Sequence, residues 1–253
     1  MNKVSKNTGI ILAAGLGSRL CNNDTKYKSK PLAKIDDIAL VIRTLKSHEV
    51  AGCEKVIVVL GWQAEKIKHD IISKYKGPID LQFVYNEHYK LNNGISVLCA
   101  KPFIEEKFIL TMADHILDDR IMRLASDNIP PKNGATLCVD FKLNTIFDID
   151  DATKVFEENG FIRSIGKNLK EYNCIDTGVF IGTNGLMEAI ETIFNKNGNV
   201  SLSEGVQILC EKRKMAILDI KNSFWQDVDT PEMLEHAEKI LKSKINNLHI
   251  HFD

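Results

Sequence analysis

No stretch of this chain approaches the roughly 18 consecutive apolar residues that a membrane-crossing helix requires. The first 20 residues place Lys3 and Lys6 ahead of a short apolar run at 10–14, but glycines and Arg19 interrupt that run, so a core strand is expected there and not a signal peptide. Neither sign of charge is in excess. The 33 Lys and Arg stand against 34 Asp and Glu, for a net charge of -1, which gives no general attraction to nucleic acid or to an anionic membrane. Any anion site must therefore be built locally, which favours a small-molecule ligand. The six cysteines, at 21, 53, 99, 138, 174 and 210, include no C-x-x-C pair and no metal-type cluster. They are expected to be reduced, mostly buried thiols of a cytoplasmic protein, none of them a convincing nucleophile. Repeats, low-complexity tracts and an obvious interdomain linker are missing too. With 253 residues and 44% hydrophobic content the chain can bury one substantial core, and a single α/β domain is the default.

What is present is concentrated near the start. The apolar block 9–12 reads as a buried parallel strand, because nothing in it alternates with polar residues. It opens into Leu12-Ala13-Ala14-Gly15-Leu16-Gly17-Ser18-Arg19-Leu20, with Lys30-Pro31-Leu32 following. Gly15 and Gly17 let backbone N–H groups approach a polyanion without an intervening side chain. Arg19 and Lys30 add two cations, a combination that suits a nucleoside triphosphate. A dinucleotide fingerprint would need glycine where Leu20 stands, although Asp36 and Asp37 lie near the spacing of a ribose-binding acid. The ATPase phosphate loop has only a poor imitation, from Gly160 to Gly166-Lys167-Asn168, with one residue too many and Asn at its end. A plain strand-to-helix turn is the remaining alternative for 13–20.

Along the rest of the chain, helices are predicted at 39–50, 63–75 and 94–100, and strands at 55–60, 81–85 and 107–112, the last ending at Ala113-Asp114-His115. This alternation implies a mainly parallel sheet with right-handed crossovers. After about residue 130 the rhythm changes to short strands at 136–141, 152–156, 161–165 and 179–181, more like an antiparallel lid or extension that shapes a second substrate's pocket. An amphipathic helix starts at Pro231. The expected fold is α/β: a Rossmann-like mixed, mainly parallel sheet flanked by helices, with a small antiparallel β extension. One domain would comprise a nucleotide-binding half (about 1–130), an acceptor-binding half (about 131–230) and a C-terminal helix and tail (231–253).

Ligands of open α/β sheets sit beyond the carboxyl ends of the strands, which makes Asp114 a candidate magnesium ligand. Asp227, just before the last helix, is the second, since a magnesium site needs only one or two carboxylates plus waters and substrate phosphates. Asp229 has a bland alternative: it or Thr230 can cap the helix, with Glu232 completing a capping-box-like arrangement. If the attacking group is a phosphate monoester, its second pKa near 6 leaves it largely dianionic at pH 7, so no side chain need remove a proton. The residues would then position and neutralise, with Lys30 on the α-phosphate and Arg19 on the departing pyrophosphate.

The strings LAAGLGSRL, SKPLAKI, FILTMADH, DTGVF and WQDVDTPE, in this order and across nearly the whole chain, resemble the sugar-phosphate nucleotidyltransferase superfamily. Within it, NNGISVL, TMADHILDD, DATKVFEENGFIRSIGKNLKEYNCIDTGVF and SLSEGV are most similar to the CTP:inositol-1-phosphate cytidylyltransferase domain of dialkyl inositol phosphate synthesis. The resemblance implies a Mg2+-dependent attack of a phosphoryl oxygen on the α-phosphorus of CTP, giving a CDP-alcohol and pyrophosphate. It places catalytic cations at Arg19 and Lys30, nucleotide contacts at Leu12, Ala13, Gly15, Gly17 and Ser18, and base recognition at Asn93, Gly94 and Ser96. Acceptor contacts fall at Lys154, Asp176 and Thr177, with Lys154 meeting the acceptor phosphate and Asp176 its hydroxyls. Read alone, Asn93 can equally cap a helix, Lys154 can be solvated and 176–178 can be a turn.

The implied partners are CTP and a small phosphorylated alcohol, with no nucleic acid and no direct membrane insertion; the oligomeric state is open, a homodimer included. The family domain is often joined to a membrane-embedded phosphotransferase, whereas this chain runs to His251-Phe252-Asp253 without hydrophobic spans. If that is the full length, the product is expected to pass to a separate membrane enzyme. Related cytidylyltransferases act on phosphocholine or 2-aminoethylphosphonate, for which Trp62, Tyr85, Tyr89 or Tyr172 are cage candidates. A polyol would instead need Asp176, Thr177 and Ser203. A non-catalytic nucleotide sensor and an oxidoreductase on a dinucleotide fold are the rival classes.

Overall fold

The computed structural model describes residues 7–21 and 28–249, with side chains through residue 243; Lys3, Lys6 and the tail 251–253 lie outside the described residues. In chain order the elements are β1 (Asn7–Ala13), α1 (Ser18–Cys21), β2 (Lys34–Ile35), β3 (Ile38–Ala39), α2 (Leu40–Val50), β4 (Cys53–Leu60) and α3 (Ala64–Lys74). Then come β5 (Asp80–Tyr85), α4 (Gly94–Ala100), β6 (Phe108–Met112), β7 (His115–Leu117), α5 (Asp119–Asp127) and β8 (Ala135–Asp140). The remainder is β9 (Lys154–Glu158), β10 (Phe161–Gly166), β11 (Cys174–Gly182), α6 (Asn184–Asn197), α7 (Leu202–Glu211), β12 (Met215–Asp219), β13 (Trp225–Asp227) and α8 (Pro231–His249).

A nine-stranded sheet in the order β5-β4-β1-β6-β11-β8-β12-β10-β9 forms the centre. Its first four strands are all parallel. They are apolar throughout because both faces are covered: Val56, Ile57, Val58, Val59 and Leu60 are all fully buried. Alternate side chains divide between two cores. Ile10, Leu12, Ile57 and Val59 pack with α4, α6 and α7, whereas Ile11, Ala13, Val56 and Val58 pack with α2, α3 and α5. Direction changes at β11, which runs antiparallel to β6 and to β8.

The antiparallel strands are thus an extension of the central sheet and not a lid apart from it. Pairing also returns from β9 to β11, so β11, β8, β12, β10 and β9 form a closed circuit. Four features of this half were absent from the sequence expectations: α6, α7, β12 and the β7–β13 ribbon. A third small core, including Leu20, Ile35, Ile116, Val228, Leu234 and Ala237, packs α8 beneath that ribbon.

Two decoys in the sequence have simple structural explanations. Asp36 and Asp37 both have positive φ, 47° and 61°, and form the tight turn between β2 and β3, far from a ribose-binding role. Asn159 and Gly160, at φ 55° and 79°, make the corresponding two-residue turn between β9 and β10.

Candidate active site

Strands β1 and β6 are parallel neighbours, so the chain leaves both at the same sheet edge. The glycine turn follows one and Asp114 follows the other, tied by the Ala113 N–H donating to the Leu12 carbonyl at 3.0 Å. The β7–β13 ribbon then delivers the distant acids. Asp227 stands opposite His115 in the register, and the Val228 N–H donates to the Asp114 carbonyl at 3.0 Å. Residues more than a hundred positions apart therefore share one corner of the fold.

Gly17, at φ +61°, folds the turn tightly against the segment carrying Lys30; a Cβ there would meet the Lys30 Cβ at 2.5 Å. A Cβ at Gly15 would meet nothing, so the other side of the turn is open to a ligand. The Lys30 ammonium lies between Asp114 and Asp229, bonded to both. Arg19 donates to Asp151 at 2.5 Å and to Asp229 at 2.6 Å. Asp229 is therefore an ion-pair partner. The capping falls to Thr230, whose hydroxyl accepts from the Met233 N–H at 3.3 Å.

Charge coupling in this corner is strong. Burial works against the Lys30 ammonium, but Asp114 and Asp229 outweigh it and raise the Lys30 pKa. Burial likewise opposes ionisation of Asp114, and Lys30 with His115 reverses the effect, holding that carboxyl far below the usual range. The His115 Nδ1 bonds Asp114 at 2.6 Å and its ring stacks on Trp225, with centroids 6.2 Å apart. Asp227 is different. Burial raises its pKa, His115 works against the rise, and the neighbouring charges of Asp229 and Asp114 add to it. Among the described residues its carboxylate has no hydrogen-bond or ion-pair partner.

An unpartnered carboxylate beside Asp114 fits a hard divalent cation, since carboxylate oxygens are the donors such ions prefer. Among the described residues no three His, Cys, Asp or Glu are grouped as a complete metal cage. Asp114 and Asp227 would therefore share an ion with water and phosphate oxygens.

Two hollows meet at this corner. A groove of about 290 Å³ is lined by the glycine turn, Ser18, Arg19 and Pro31, and a chamber of about 640 Å³ extends across the antiparallel half. Leu12, Gly15, Lys30, Asp114 and Asp229 belong to both. Of the expected nucleotide residues, Leu12, Ala13, Gly15, Gly17 and Ser18 line the groove, and Asn93 and Ser96 line the chamber. Asn93 does not cap its own helix; its side chain accepts from the Leu202 N–H at 2.9 Å and anchors α7. Gly94 is off the wall. It allows close packing, because a Cβ there would lie 2.6 Å from the Val200 carbonyl oxygen.

The acceptor residues divide. Asp176 lines the chamber and is pushed up to about 6 by burial, with the Gly178 N–H at 2.7 Å partly opposing the rise. Lys154 does not reach the chamber: buried at the start of β9, it donates to the carbonyls of Asp150 and Ala152 at 3.0 and 3.3 Å. Thr177 is fully buried and donates to the Cys138 carbonyl at 2.8 Å, on the far side of the strand from Asp176. In place of Lys154 the wall carries Lys167, which pairs with Asp151 at 2.8 Å. Ser203 and Tyr89 are on the wall, while Trp62, Tyr85 and Tyr172 are not, so the four aromatics form no cage. His115, Trp225, Lys167 and Asp151 were missed from sequence. The only signal for Lys167 was the failed phosphate-loop spacing, which tests a loop and not a lone lysine.

A glycine turn at the end of the first strand, a buried lysine held by acids and a two-part hollow define a nucleotide-handling α/β domain. Residues 9–144 match the MobA-like NTP transferase domain, and the chain belongs to that family. The "Bifunctional IPC transferase and DIPP synthase" of Aquifex aeolicus is 31% identical over 234 residues, covering 92% of this chain and 51% of that protein. Its counterpart from Archaeoglobus fulgidus is 32% identical over 234 residues, covering 92% and 44%. The chain thus spans about half the length of the curated relatives it matches. The solved structure of the inositol-1-phosphate CTP transferase from T. maritima has the same fold, with a TM-score of 0.82 at 24% identity, covering 94% of this chain and 96% of that one. Among the described residues no helix is long and apolar enough to cross a membrane.

Proposed function

We propose that this protein transfers CMP from CTP to a phosphorylated alcohol, inositol 1-phosphate, releasing pyrophosphate. The observation that carries the reading is the meeting of a groove and a chamber at Lys30 and Asp114. A triphosphate lying along the glycine turn puts its α-phosphorus at that junction, with the nucleoside and the acceptor sharing the larger space. The names of the relatives support CTP and inositol 1-phosphate as the pair.

The attacking phosphate is already largely dianionic at pH 7, so the residues hold charge in place and need not remove a proton. Lys30 neutralises an α-phosphate oxygen in the transition state, where a charge fixed in advance is most effective. Arg19, at the mouth of the groove, releases Asp151 and Asp229 to take up the departing pyrophosphate. Asp176 and Ser203 accept and donate hydrogen bonds to the polyol, and Lys167 meets the acceptor phosphate. Mg2+ held by Asp114 and Asp227 would neutralise and orient the phosphate oxygens. The DIPP synthase in the relatives' names supports a synthase of that kind as the consumer of the CDP-alcohol.

Pyrophosphate release, measured with a panel of nucleoside triphosphates and phosphorylated alcohols in Mg2+, tests the reading. Turnover with CTP and inositol 1-phosphate is expected. No release from any pair rejects it, and tight CTP binding without release would make the protein a sensor.

A further inference from the structure

Lys154, which does not reach the chamber, spends its charge on the backbone of the segment before β9. Only 8% exposed, its ammonium donates to the carbonyls of Asp150 and Ala152 and lies 5.9 Å from the centroid of the Tyr172 ring. Those two carbonyls flank Asp151. The Asp151 N–H donates to the Asp148 carboxylate at 3.3 Å and the Ala152 N–H to the Asp148 carbonyl at 3.1 Å. The backbone on both sides of Asp151 is therefore tied, and its side chain is presented from a fixed turn.

That side chain stands between two cations from different parts of the site. Its Oδ2 accepts from Arg19 of the groove at 2.5 Å, and its Oδ1 accepts from Lys167 of the chamber wall at 2.8 Å. Arg19 keeps Asp229 on its other guanidinium nitrogen. Burial opposes ionisation of Asp151, and Lys167 with Arg19 outweighs it, holding the carboxyl below its ordinary range. The site thus carries an anion of its own where two phosphates would claim the same two cations.

We infer that Asp151 is a counter-ion shared by the two phosphate sites, with Lys154 as its positioning residue, and that through it each bound phosphate weakens the other. A phosphate that takes Arg19 leaves Asp151 with Lys167 alone. A second phosphate that takes Lys167 leaves it with neither, so the second binding event costs more than the first, in whichever order they occur. The inference rests on the nucleotidyltransferase reading, which gives pyrophosphate to Arg19 and the acceptor phosphate to Lys167. Lys154 acts only through Asp151.

The test is calorimetric binding of pyrophosphate and of inositol 1-phosphate, each alone and with the other saturating, in the same Mg2+ and low salt throughout. No turnover is needed. In the wild type, pyrophosphate should weaken inositol 1-phosphate about 3-fold or more, and linkage requires the same factor in reverse. Asp151→Asn should tighten each probe alone about 5-fold, the upper range for a partly exposed ion pair, and at least halve their mutual weakening. Lys154→Met should move both quantities the same way, and adding it to Asp151→Asn should change neither further. Mutual weakening that is unchanged in Asp151→Asn overturns the inference, and so does inositol 1-phosphate that binds neither form. That variant decides the matter if Lys154→Met fails to fold, and a further effect of Lys154→Met on top of Asp151→Asn removes Lys154 from the role. If no nucleoside triphosphate releases pyrophosphate but the binding factors shift as stated, the transferase reading fails while the shared counter-ion stands.

Discussion

At the phosphate end of the site the charges around Lys30 are interlocked and nearly dry, although Arg19 at the groove mouth keeps 49% of its side-chain surface. Lys30, Asp114 and Asp229 keep only 12%, 21% and 17% of their side-chain surface. At the acceptor end Lys167 and Asp151 keep 52% and 30%. The same kinds of group thus meet in different surroundings. Buried charges act strongly on a developing charge and need no reorganisation, whereas an exposed pair is screened and adjusts to whatever binds. On the proposed function the difference predicts a division of labour, in which the dry end sets the rate and the wet end sets acceptor affinity.

The strongest test of that division is Asp227→Asn, which should lower kcat by about 1,000-fold, as expected where a metal-held charge is lost. Circular dichroism should show the fold intact, since the carboxylate has no partner among the described residues. Lys30→Ala should lower kcat about 100-fold or more, and an unchanged rate would take Lys30 out of the mechanism. Lys167→Met should act at the other end, raising the acceptor KM about 10-fold with little change in kcat. A fall in kcat at constant KM would mean the two ends are not separable.

Smaller effects sharpen the boundary between site and scaffold. Thr177→Val should cost about 1 kcal/mol in urea unfolding, through the lost bond to the Cys138 carbonyl, and leave the acceptor KM alone. His48 gives the counterpart to His115 away from the cavity. Fully buried, with its Nε2 2.9 Å from the Thr111 hydroxyl, it has its pKa pushed down to about 3 by burial. The unfolded chain binds this proton below about pH 6.5, so the native state loses stability as pH falls from there toward 3. The slope is at most about 1.4 kcal/mol per pH unit from this group. Unfolding of His48→Gln should show a correspondingly flatter dependence below pH 6.5.

The parts legible in the sequence were those whose chemistry is local. Strand β1, the glycine turn, Lys30, and Asp114 at a strand end could be placed without knowing any tertiary pairing, and helix 94–100 matched residue for residue. Asp227 could be singled out because an acid before a helix is conspicuous, although the three-residue strands that carry it to Asp114 are too short to leave a pattern. Lys154 and Thr177 lie off the chamber wall for a common reason. Which way a strand residue faces depends on register, and a one-residue step reverses it. Asp176 and Thr177 are neighbours, yet one meets the chamber and the other the sheet. The irregular pairing of β11 with β8 between Asp176 and Phe180, with Gly178 at φ +74°, is visible only once the strands are paired.

The ribbon of β7 and β13 ties catalytic competence to the order in which the polypeptide is made. Its first strand belongs to the early part of the chain and its second comes from residues 225–227. A growing polypeptide therefore carries the glycine turn and Asp114 well before residues 225–227 emerge to complete the acidic pair.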